Sequence, residues 1–119
     1  TVASTGPAPR ANASLLGQGR LLWLFGGCDL SLNQRFYSDL WCFDGCWQEV
    51  IAVPRPPGRS GHGAVWCGAS LVIAGGWDGS CMLSDVWLFE GTAWAQLQMT
   101  IPPRACFGCG MLGNSIAIF

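Results

Sequence analysis

Leu22-Trp23-Leu24-Phe25-Gly26-Gly27 returns later in the chain as Leu71-Val72-Ile73-Ala74-Gly75-Gly76, and its flanks return with it. Ser38-Asp39-Leu40-Trp41-Cys42-Phe43 is answered by Ser84-Asp85-Val86-Trp87-Leu88-Phe89, and Trp47-Gln48 by Trp94 and Gln96. The two glycine pairs stand 49 positions apart. A chain that says the same thing twice at this period must fold each unit alike. It must also bury the apolar faces of each unit against a neighbour, because such a unit cannot bury them alone.

A second marker runs ahead of each unit. Pro9-Arg10 opens the first, Pro57-Gly58-Arg59-Ser60-Gly61-His62 the second, and Pro103-Arg104-Ala105-Cys106-Phe107-Gly108 a third. The third unit reaches the apolar run Ser115-Ile116-Ala117-Ile118-Phe119, the place where the first unit enters its double glycine. We therefore expect two full units and part of a third. The apolar fraction is 50% and the charged fraction 11%, against a usual charged share of about a quarter. Polar caps on the outer units are not in view, so uncovered unit faces should not persist in water.

Each unit reads as four short strands, rich in aromatic and β-branched residues and bounded by Gly, Asp, Asn and Pro. In the first unit they are expected at 11–16, 21–25, 39–43 and 47–51, and in the second at 63–67, 71–74, 85–89 and 94–97. Asp44-Gly45 is a tight hairpin signal. The longest loops should follow the double glycines. Val53-Pro54-Arg55-Pro56-Pro57-Gly58 suits a stiff crossing without ladder pairing. No segment carries a helical period over ten residues. The fold class is all-β, and the period is that of a four-stranded propeller blade. Propellers close with about four to eight blades, so an incomplete ring is expected. Residues 1–9 read as a flexible N-terminal segment, 10–53 as the first blade and 54–58 as a Pro-rich linker. Residues 59–98 read as the second blade, and 99–119 as a linker with the start of a truncated third. The chain does not begin with Met, which fits an excised or processed piece.

These units resemble the kelch repeat. The resemblance rests on the double glycine, an aromatic strand opened by Asp, a tryptophan a short turn later, and Arg then Gly-His ahead of the next unit. The second unit carries the whole set in Arg59, His62, Gly75, Gly76, Asp85, Trp87, Phe89 and Trp94. The first carries Arg10, Gly26, Gly27, Asp39, Trp41, Phe43 and Trp47 but has Asn12-Ala13 in place of Gly-His. The third offers Arg104 and Phe107-Gly108. The resemblance implies antiparallel blades counted outward from a central channel. It also implies a second strand ended by the double glycine, and the repeated Trp and Phe packed between blades.

Arg10, Arg59 and Arg104 recur at equivalent places. They would form a basic rim for an acidic peptide, or else structural arginines bonded to backbone and to Asp39 and Asp85. His62, the only histidine, is expected to be structural. Trp77, Asp78 and Arg35 sit in the long loops, where an aromatic and arginine anchor pair suits a partner. The seven cysteines cannot all pair internally. We read them as buried free thiols acting as small hydrophobes, with Cys28 and Cys81 at the loop surface. Cys42/Cys46 and Cys106/Cys109 have ligand-like spacing, but they lie far apart along the chain and no metal is expected. Asn12-Ala13-Ser14 matches a glycosylation sequon but falls in an expected inner strand.

Six basic against seven acidic residues give no electrostatic case for nucleic acid. No apolar run approaches membrane-spanning length. No phosphate loop, fixed carboxylate pair or cofactor motif is present. The resemblance implies a protein-interaction or scaffold module without catalysis. Its partners would be other proteins and the remaining blades, in the same or partner chains. The alternative is a piece of a kelch-type oxidase, sugar epimerase or specifier enzyme whose catalytic residues lie mostly elsewhere. Free thiols point to a reducing, cytoplasmic location.

Overall fold

The computed structural model describes residues 6–31, 34–112 and 115–118. Part of the expected N-terminal segment (1–5) and Phe119 lie outside the described residues. Two four-stranded antiparallel sheets follow one another in the chain. The first is β1 (Ser14–Gln18), β2 (Leu21–Phe25), β3 (Leu40–Phe43) and β4 (Trp47–Val50). The second is β5 (Gly63–Cys67), β6 (Ser70–Trp77), β7 (Met82–Phe89) and β8 (Trp94–Thr100). A two-stranded hairpin, β9 (Cys109–Leu112) with β10 (Ser115–Ile118), opens the third unit. Strands run in chain order within each sheet, and the described residues do not close into a ring.

The register explains why the repeated strands read as unbroken apolar runs. Along β6, Leu71 and Ile73 point into the core shared with the first sheet. Val72 and Ala74 point into a second core on the other side, toward the hairpin. β7 alternates in the same way: Trp87 and Phe89 face the first sheet, Val86 the opposite core. A strand buried on both faces loses the polar alternation of a half-exposed one. The first sheet supplies Phe25, Leu40 and Ala52 to the shared core. Its opposite face is open, with Leu15 56% and Leu22 39% exposed.

Several expected boundaries differ, and the starts of β1 and β7 and the ends of β6 and β8 each move by three residues. The first strand begins at Ser14 rather than Ala11, because Asn12 takes a left-handed φ of 58° that interrupts extended backbone. Ala11 keeps only an isolated bridge to Cys28. Asn12 is therefore exposed ahead of the strand, and the steric objection to its sequon falls away. In the second unit the double glycine does not end the strand. Gly75 and Gly76 adopt φ of 64° and 108°, the register shifts between Ala74 and Gly76, and pairing resumes at Gly76↔Leu83 and Trp77↔Met82. The loop expected at 77–84 thus shrinks to residues 78–81. The last strand also runs on to Thr100.

Candidate functional site

Arg59 has its side chain wholly buried and holds Asp85 by two short bonds, Nη1 to Oδ1 at 2.6 Å and Nη2 to Oδ2 at 2.8 Å. Its Nε donates to Pro57 O and its Nη1 also to Gly75 O. Trp87 Nε1 donates to Asp85 Oδ2 at 2.8 Å. The first unit repeats the set. Arg10 donates to Ala8 O, to Gly26 O and twice to Asp39, and Trp41 Nε1 donates to Asp39 Oδ2 at 2.7 Å. The spacing Asp-x-Trp works because residues two apart on a strand share a face, so the indole N–H reaches the carboxylate. Burial alone would raise both carboxyls. The bidentate guanidinium and the indole outweigh it and hold Asp39 and Asp85 below the ordinary range.

His62 sits at the joint between the two sheets. Its Nε2 lies 3.0 Å from Ser14 Oγ, and its ring meets Phe25 edge-on at 5.3 Å. Ser14 Oγ donates in turn to Phe25 O. The geometry resembles a nucleophile with its base, but His62 is 9% exposed, and no partner reaches Nδ1 among the described residues. The pair is a clamp between blades. Burial, then the Arg59 charge, pushes His62 from 6.5 down to about 3. A histidine kept neutral in the fold contributes its full stability above about pH 6.5. It loses stability as pH falls from there toward 3, by up to about 1.4 kcal/mol per pH unit. The lowered carboxyls act only below their ordinary value of 3.8. The urea midpoint is therefore expected to fall between pH 7 and 5, and to lose most of that slope in a His62→Gln variant. An unchanged slope in that variant would assign the effect elsewhere.

In an antiparallel meander the connections after β2, β4, β6 and β8 gather at one end. They touch there. A Cβ on Gly58 would come within 2.3 Å of Phe36 O, and one on Gly79 within 2.8 Å of the Phe36 ring. Glycine is needed at both places for this approach. Asp29 and Asp78 brace their loops. Asp29 accepts from the Arg35 and Ser31 backbone N–H and the Ser31 hydroxyl, Asp78 from the Ser80 and Cys81 N–H. These bonds lower both carboxyls, chiefly the Arg35 N–H at Asp29 and the Cys81 N–H at Asp78. Trp77 is half-buried in β6, its backbone paired with Ser60.

Arg35 and Arg55 are exposed at this end and make no ion pair among the described residues. Together with Arg10, Tyr37, Trp41 and Glu49 they line a cleft of about 360 Å³. Tyr37 lies beneath two guanidinium groups, Arg10 at 3.9 Å and Arg35 at 5.3 Å from the ring centre. Arg55, Tyr37 and Glu49 were not singled out in the sequence. Arg55 looked like part of a proline linker, although an arginine between prolines has few local partners, and that was the available signal. Two of the three repeat arginines are enclosed, and Arg104 is half-buried. Arg59 is 0% exposed, and Arg10 has 4% of its side chain exposed.

The cysteines depart from expectation. Cys28 is buried, not a surface thiol, while Cys46, Cys67, Cys81 and Cys106 are exposed and Cys42 and Cys109 intermediate. Hairpin turns and interblade loops carry most of them, and those segments have no neighbour to cover them. Among the described residues no group of three or more metal-binding side chains converges.

A family model described as the KLHDC2/KLHL20/DRC7 Kelch-repeats domain matches residues 1–119. The chain belongs to the kelch-repeat family. Among curated proteins this kelch chain is similar to the Leucine-zipper-like transcriptional regulator 1 homolog of Drosophila melanogaster, 29% identical over 115 residues. The match takes in 86% of the chain but spans only 12% of that relative's length.

Proposed function

We propose that this kelch domain is a non-catalytic protein-interaction module, whose contact surface is the set of loops after β2, β4 and β6. Kelch domains in general serve as interaction modules. One observation carries the finer reading. In the two complete units the repeat's Arg, Asp, Trp and His are committed to internal bonds or packing. Arg35 and Arg55 make no ion pair among the described residues and stand exposed at the end where the long loops meet. Among the described residues the opposite end offers only tight turns. Arginine and aromatic residues anchor interfaces well, because they bring area and directed donors together. An acidic or carboxylate-bearing group suits the cleft beside Tyr37. Seven free thiols support a reducing, cytoplasmic setting.

Photo-crosslinking residues in the full-length protein test this reading. Positions 35 and 55 are expected to capture the same partner, and Ala69, in the turn between β5 and β6 at the opposite end, to capture none of it. Equal capture from Ala69 would overturn the loop surface.

A further inference from the structure

Tyr37 is the one tyrosine of the chain, and its surroundings suit an anion better than a neutral phenol. The Arg10 and Arg35 guanidinium groups stand 3.9 Å and 5.3 Å from its ring centre. Arg35 and Arg55 line the same cleft of about 360 Å³. The Tyr37 hydroxyl makes no hydrogen bond among the described residues and is not one of the buried polar atoms left without a partner, so it reaches water. Arg10 and Asp39 answer each other. Arg35, Arg55 and Glu49 make no ion pair among the described residues, which leaves two cations against one carboxylate in the cleft.

This corner stays open when a unit precedes it. Leu83 holds the matching place in the second unit, its carbonyl accepting from Arg104 N–H as Tyr37 O accepts from Arg59 N–H. Leu83 is half-buried with the first unit packed beside it. The Asp85 side chain there is 20% exposed, against 18% for Asp39.

We propose that Tyr37 is a phosphorylation site whose phosphate sits in this cleft on Arg35 and Arg55. The co-substrate is ATP, used by a tyrosine kinase. Tyr37 Oη bonds to the γ-phosphorus, the bond from that phosphorus to the β-phosphate oxygen breaks, ADP leaves, and the phenol proton passes to the kinase's base. The product carries about −1.5 to −2 charge and three acceptor oxygens, which match the planar donors of two arginines. The consequence rests on the loop surface proposed above: the phosphate fills the cleft from within and competes with an acidic partner for the same guanidinium groups.

Full-length protein treated with a tyrosine kinase and MgATP, with no partner present, tests the site. The phosphate resonance absent from Tyr37→Phe is titrated by phosphorus NMR. Its second ionisation is expected below the free value of about 6. Arg35→Gln and Arg55→Gln should each move it back up, and Glu49→Gln further down. No phosphate on Tyr37 in the folded protein, or one that titrates near the free value whatever stands at 35 and 55, overturns the site. A photo-crosslinker at Leu30, exposed in the same loop, then reports the partner. Capture is expected to fall roughly fivefold or more on phosphorylation, and to stay unchanged in kinase-treated Tyr37→Phe. A held phosphate with undiminished capture would overturn the loop surface and the regulatory role together.

Discussion

Replacing Arg59 with methionine is expected to cost about 3–5 kcal/mol of stability, a large share of the roughly 5–15 kcal/mol that holds a domain folded. The loss comes from what remains. Asp85 keeps its charge with the guanidinium gone, and Pro57 O and Gly75 O lose their donors. The Asp85 side chain is 20% exposed, so water reaches one side and the figure belongs near the lower end of that range. Arg59→Lys should recover little, because an ammonium cannot make the paired, planar contact with both carboxylate oxygens. The double variant Arg59→Met with Asp85→Leu should recover much of the loss, since it removes the stranded charge along with its partner. Urea denaturation of the three variants provides the comparison. A single Arg59→Met variant as stable as the parent would show that the pair is not what holds the second blade.

Phe25→Ala is expected to cost about 3–5 kcal/mol. Phe25 is 0% exposed and closes β2 at the joint between the blades, with the His62 ring and the Trp94 ring each 5.3 Å from its own. Its removal opens a cavity that rigid strands on both sides cannot collapse to fill. Leu22, on the opposite face of the same strand, is 39% exposed and should cost less than about 1 kcal/mol when changed to alanine. The contrast tests direction as well as size: one face of β2 is a joint and the other is open. Amide exchange supplies the readout, with faster exchange in β2, β5 and β6 expected for Phe25→Ala and little change for Leu22→Ala. Equal effects from the two substitutions would mean that the joint does not carry the coupling.

Much of this fold was legible before any coordinate. The repeat placed β2, β3, β4 and β5 to within a residue, because strand pairing within a blade is local and its signals sit side by side. Gly45, at φ 117°, turns β3 into β4 where Asp44-Gly45 had marked a hairpin. The misjudged limits of β6 and β7 share one cause. Glycine pairs read as stops, yet Gly76 and Trp77 carry on the ladder after a register shift, and no local signal distinguishes a bulge from an end. Cysteine burial went astray for a related reason: an apolar residue type says that burial is favourable, not that a neighbour is present to provide it. In the candidate site, the pairing of Arg10 with Asp39 and of Arg59 with Asp85 stood among the alternatives. The contact between Ser14 and His62, 48 positions apart, did not.

Four-stranded antiparallel blades of kelch type follow from the amino-acid order alone, since period, double glycine and Asp-x-Trp strand all act over short stretches of backbone. Which arginines pair with a carboxylate, among the described residues, follows from packing. Arg59 and Arg35 are the same residue type in the same composition. They differ because packing between blades encloses one against a carboxylate and leaves the other at a loop end. Such enclosure depends on segments that meet in space while standing far apart in the chain, and no local pattern records that meeting.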